Sequence, residues 1–142
     1  MAVTIRRTYG AGIHPFHAFL LASMVPLFLG ALLSDWAYHA SYTVQWLNFG
    51  AWLNAGGMVF AGTTLVWALV ELIRANRQRN QLILYFVLLL ATFIFGLIGA
   101  FAHAKDAWAA MPEALIWSII VFILAAAAAW VGFSTLRTGA AK

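Results

Sequence analysis

Apolar residues fall into four long blocks separated by short polar intervals. The blocks run over roughly residues 16–38, 49–72, 82–102 and 114–136, each about 20 residues or a little more, the length a helix needs to cross about 30 Å of hydrocarbon. None alternates polar with apolar, and each is about twice as long as a membrane β-strand. A backbone surrounded by lipid must satisfy its own hydrogen bonds, which leaves helices as the element. Intervals this short make successive helices antiparallel. The pattern predicts an all-α fold, an integral membrane four-helix bundle with up-down-up-down topology, filling residues 1–142 as one domain.

The first block follows Arg6 and Arg7, as the apolar core of a signal peptide would. It also carries His14, His17 and Pro26, is long, and is followed by no tidy small-residue cleavage site, so it reads as a retained span. Pro15 sits where a first-turn proline loses no hydrogen bond, and Pro112 does the same for the last block. Glu113 beside it offsets the positive helix end. Pro26 removes a backbone donor inside the first span and predicts a kink there.

Composition agrees with lipid as the solvent. Of 142 residues, 65% are hydrophobic and 8% charged, against roughly half and a quarter in soluble domains. A soluble chain this short could not hide that much apolar surface. Cysteine is absent, which removes disulfides, thiolate catalysis and Cys-ligated zinc or iron–sulfur centres. The net charge of +4 rests on eight basic residues placed at block ends rather than in one stripe, so no nucleic-acid partner is expected.

Those basic residues set orientation instead. Arg6 and Arg7 precede the first block; Arg74, Arg77 and Arg79 lie between the second and third; Arg137 and Lys142 follow the fourth. Only Lys105 lies on the other side, with Asp106 and Glu113. The positive-inside rule then predicts that both termini are cytoplasmic and that "HASYTVQWLN" and "HAKDAWAAMPE" face outside. Trp36, Tyr38, Tyr42, Trp46, Trp52 and Trp108 fall at the outer interface, where aromatic belts belong. Small-residue stripes offer close helix contacts: Gly50, Asn54, Gly57 and Ala61 in the second block, Thr92, Gly96, Gly99 and Ala100 in the third, and the run from Ala125 to Ala129 in the fourth.

Two polar constellations hold the candidate chemistry. At the outer end, Asp35 and His39 are four apart, and His103 and Asp106 are three apart at the matching end of the third block, with Gln45 and Asn48 nearby. These groups serve as helix caps in water and headgroups, or as sites. His39 and His103 at one depth are the minimum for a b-type haem. Asp35, His39, His103 and Asp106 together offer nitrogen and oxygen ligands for zinc or iron, or carboxylates that orient the imidazoles. At the inner end, His14 and His17 share a face, and Glu71 with Arg74 makes an ordinary i,i+3 pair; a quinone or proton site on His14, His17 and Glu71 is the alternative. Both inner histidines come from one helix, so at most one bis-histidine haem fits, at the outer end. No HExxH, P-loop, GxSxG or dinucleotide motif occurs. The centres of the blocks hold no Asp, Glu, Lys or Arg, unlike ion pumps and carriers of charged substrates.

The opening "HPFHAFLLASMVPLFLGALLSDW" resembles the start of a bacterial family of small membrane proteins, the domain-of-unknown-function 2231 family, in His14, Pro15, Pro26 and Asp35. "GLIGAFAHAKDAWAAMPEAL" resembles the later part of a subgroup of it. The resemblance implies a four-helix membrane domain of the bacterial inner membrane without an established activity. It also implies association with envelope redox proteins, including quinoprotein dehydrogenases. The expected function is a non-catalytic membrane subunit or anchor of a larger envelope complex. Electron transfer through a haem or a quinone near the periplasmic face is the alternative, and a channel for a small neutral solute the second alternative.

Overall fold

The computed structural model describes residues 13–74 and 79–138. Among them the elements are all helical: α1 (Pro15–Ser41), α2 (Val44–Arg74), α3 (Arg79–His103), the single turn α4 (Ala107–Ala110) and α5 (Glu113–Thr138). Among the described residues four helices are long and apolar enough to cross a membrane, over Pro15–Ser41, Val44–Arg74, Asn80–His103 and Glu113–Ser134. Arg6, Arg7, Arg77 and Lys142, on which the expected orientation draws, lie outside the described residues.

Helix ends follow from local chemistry. His14 caps α1 through its ring, Nδ1 accepting from the Phe16 N–H at 3.2 Å, and Pro15 occupies the first turn. At its other end α1 stops where Tyr42 takes the left-handed conformation, φ 52° and ψ 24°, its N–H bonding the Tyr38 carbonyl at 2.7 Å. Tyr42 has no glycine's freedom there; its ring stacks on Trp108 with centroids 5.1 Å apart. Only Tyr42 and Thr43 separate α1 from α2, so α2 begins at Val44 and not near residue 49. The polar and aromatic segment before Phe49 lacks the hydropathy of a span, yet continues its helix. Pro112 precedes α5, and its carbonyl accepts the first helical bond from the Ile116 N–H at 3.1 Å.

The four long helices pack in a ring: α1 against α2 and α5, and α3 against α2 and α5. Between them lies an apolar core of Leu21, Met24 and Phe28 from α1, Ala61 from α2, Leu89 from α3, and Val121, Ala125 and Ala128 from α5. The outward faces are as apolar as the inward ones. Val59 and Ile123 are 68% and 60% exposed in mid-helix, a surface that water does not tolerate and lipid does. A second cluster of Tyr38, Leu47, Ala102, Ala110 and Ala114 closes one end of the core. The stretch from His103 to Glu113 carries α4 across that end.

Candidate functional site

Eighteen positions separate His17 from Asp35 on α1, and Tyr85 from His103 on α3. That is about five turns, or about 27 Å of helix, so each pair lies on one face of its helix. Both faces point into the bundle. Polar side chains therefore meet across the α1–α3 diagonal in two layers, at opposite ends of the apolar core. The two contacts join residues with the same chain separation, 68 positions in each case.

In the first layer the Asp35 carboxylate is the hub. It is fully buried, and Oδ1 lies 2.8 Å from His103 Nε2. The Ser118 hydroxyl of α5 donates to Oδ2. The other ring nitrogen of His103, Nδ1, is 2.8 Å from the Gly99 carbonyl one turn back. Gly50 of α2 supplies the room: a Cβ there would stand 3.2 Å from His103 Nε2 and well inside contact with Asp35 Oδ1. All four spanning helices thus meet at one carboxylate. A buried carboxylate survives in such a place only with partners of this kind. Serine, histidine and aspartate together bring hydrolytic triads to mind, but the order here differs. Ser118 and His103 both bond Asp35, and no hydrogen bond joins them to each other, so His103 is not placed to take the Ser118 proton.

The second layer centres on His17, also fully buried. Its Nε2 is 2.8 Å from the Tyr85 hydroxyl, and its Nδ1 is 3.4 Å from Glu71 Oε1. Trp67 donates its indole N–H to the same Oε1 at 2.8 Å. His14, Phe16 and His17 crowd around Trp67, their ring centroids 5.3, 6.0 and 5.4 Å from it. His17 Nδ1 and Glu71 Oε2 are buried without a hydrogen-bond partner, so this layer is less completely satisfied than the first. Tyr85→Phe removes the better of the two contacts to the His17 ring. It is expected to lower stability by about 1–2 kcal/mol, measured by denaturant titration of the detergent-solubilised chain. An unchanged midpoint would show that the Tyr85 contact carries no weight.

The structure redistributes the candidate residues. His39 is exposed, while the His103 side chain is only 3% exposed and has both ring nitrogens engaged, so the two expected haem ligands do not face each other. Asp106 is exposed beside α4, without a side-chain capping bond. Among the described residues no three His, Asp or Glu groups gather as a metal could require, so Asp35, His39, His103 and Asp106 do not form one ligand set. Only Asp35 and His103 of that set meet. At the other end, Glu71 turns to His17 and Trp67 on the bundle side, rather than pairing with the exposed Arg74. His14 joins this cluster at its edge as the cap of α1. Ser118, Tyr85, Trp67 and Gly50 are additional. Tyr85 and Ser118 are single polar groups in apolar runs; the matching spacings from 17 to 35 and from 85 to 103 are the signal in the sequence that points to Tyr85, and none points to Ser118.

No family model matches the chain, and no characterised protein or solved structure is significantly similar to it.

Proposed function

We propose that this chain is a non-catalytic multi-pass subunit or anchor that holds a larger complex at the bacterial inner membrane. The observation that carries the reading is the commitment of its chemical groups. The acid, imidazole and hydroxyl of the first layer are spent on one another, and the space to the second layer holds apolar side chains with Asn54, Thr64 and Thr92, each bonded to a backbone carbonyl. Exposed Trp36, Trp108 and Tyr42 at the Asp35 end offer contact surface instead, and aromatic residues favour protein interfaces. In this reading the bundle runs up-down-up-down with both termini in the cytoplasm, which sets the Asp35 end toward the periplasm. The resemblance to the domain-of-unknown-function 2231 family supports a redox-linked partner, a quinoprotein dehydrogenase among the candidates.

The test is extraction of the tagged native chain in mild detergent. A stoichiometric partner is expected, and Trp108→Ala with Trp36→Ala is expected to reduce its recovery several-fold. A chain that runs alone, or a partner indifferent to both changes, sinks the proposal. Because the chain has no cysteine, single cysteines introduced at Ala104 and at Arg74 report orientation directly by their accessibility to impermeant reagents.

The electron-transfer reading asks more of the protein. A haem on His39 and His103 would have to break the His103 contacts to Asp35 or to Gly99 and turn His39 inward. A Soret band lost on replacing either histidine would nevertheless restore that reading.

A further inference from the structure

The hydrogen count around His103 has a consequence. Its Nδ1 faces a carbonyl, which only accepts, so Nδ1 carries a hydrogen. Its Nε2 faces Asp35 Oδ1. Two arrangements satisfy that contact: an imidazolium donating to a carboxylate, or a neutral imidazole accepting from a protonated carboxyl. Each contains one proton between the two atoms. Without it, the ring keeps one hydrogen for two acceptors, so a lone pair confronts either the Asp35 carboxylate or the Gly99 carbonyl in a site closed to water, which is costly.

Among the described residues no other titratable group faces the pair. α2 contributes Gly50, and the Asn54 amide is committed to the Gly96 carbonyl at 3.1 Å. α5 contributes the Ser118 hydroxyl. The Tyr38 hydroxyl of α1 donates to the Ala107 carbonyl at 2.7 Å. Lys105 and Glu113 pair with each other at the surface, and Asp106 and His39 are exposed. We propose that Asp35 and His103 form a proton-binding site, in which one exchangeable proton ties α1 to α3, and that loss of this proton frees the 104–112 connector.

The connector is placed to respond. It starts at the residue after His103. Ala107 and Ala110 pack with Tyr38, the Ala107 carbonyl takes the Tyr38 hydroxyl, and Trp108 stacks on Tyr42. Deprotonation leaves one ring hydrogen for two acceptors, so either the Asp35 or the Gly99 contact of His103 turns repulsive, directly beneath these contacts. This inference deepens the docking reading by naming a regulation of the docking face, but its test uses the isolated chain and needs no partner, so either can fail alone.

The experiment is a pH series on the full chain in lipid nanodiscs, following infrared carboxyl and imidazole ring bands and hydrogen–deuterium exchange of the 104–112 segment. The control is Asp35→Asn, whose amide donates to a neutral His103 Nε2 and whose carbonyl accepts from Ser118, with no proton to lose. The wild-type chain is expected to show a step on raising pH at which a carboxyl or imidazole ring band changes and connector exchange rises several-fold above that of Asp35→Asn. His103→Gln, which lacks the imidazole, is expected to lose the step as well. Wild-type exchange that tracks Asp35→Asn at every pH overturns the proposal, as does a step that persists in either folded variant. If neither variant folds, a wild-type connector step without a change in either the carboxyl or the imidazole ring bands overturns it equally.

Discussion

Replacing His103 with alanine is expected to destabilise the folded chain by about 3–5 kcal/mol, the cost of stripping a buried charge of its partner. Asp35 would keep only the Ser118 hydroxyl, in a site with no exposure to water and a cavity where the imidazole had been. It would either hold an unpaired charge or stay protonated, and both forfeit the tie between α1 and α3. His39→Ala is the comparison. His39 is exposed on the same helix as Asp35, one turn further on, and its loss is expected to stay within about 0.5 kcal/mol. The two histidines look equivalent in the linear chain, so the contrast tests the structure itself. Denaturant midpoints measured side by side decide it; equal midpoints would mean that the Asp35–His103 contact does not hold the bundle.

The second large effect is expected at Gly50. Alanine there normally favours a helix by about 1 kcal/mol. Here its methyl would press on Asp35 Oδ1 and sit 3.2 Å from His103 Nε2. Asp35 is held on its other side by Ser118 and cannot retreat without breaking that bond. Overpacking of this kind costs about 1–3 kcal/mol, and the upper end applies because the displaced group is a buried carboxylate. Gly56→Ala is the matched control on the same helix: its methyl would lie 3.7 Å from the Leu27 side chain, an ordinary contact, so a neutral or mildly stabilising result is expected. Gly50→Ala and His103→Ala disturb one site and should combine to less than their sum. Additive losses, or a Gly50→Ala chain as stable as Gly56→Ala, would remove Gly50 from the layer.

These expectations concern residues whose roles were unequally visible in the chain. Asp35 and His103 stand out as polar groups at the ends of apolar runs, and the sequence reading placed them at one depth. Ser118 and Gly50 carry no such mark. A serine and a glycine among apolar residues are as often packing residues as members of a site. His39 and Asp106 carry the same mark as His103 and turn out to be exposed. The expected pair of Glu71 with Arg74 was the local answer, and a contact to His17 on another helix displaced it.

The sequence by itself determined that the chain is helical, how many helices are long enough to span a membrane, and closely where most of them start and stop. These properties follow from the length and apolarity of each block and from local signals such as Pro15 and Pro112. Tertiary structure alone decided which side chains face one another. In a soluble bundle the polar face of each helix betrays its rotation. Here lipid accepts the same side chains as the core, so Val59 and Ile123 face outward while Leu89 and Val121 face inward with no difference in chemistry. With that signal erased, the rotation of each helix is set by close packing at positions such as Gly50, and by the two polar contacts across the α1–α3 diagonal.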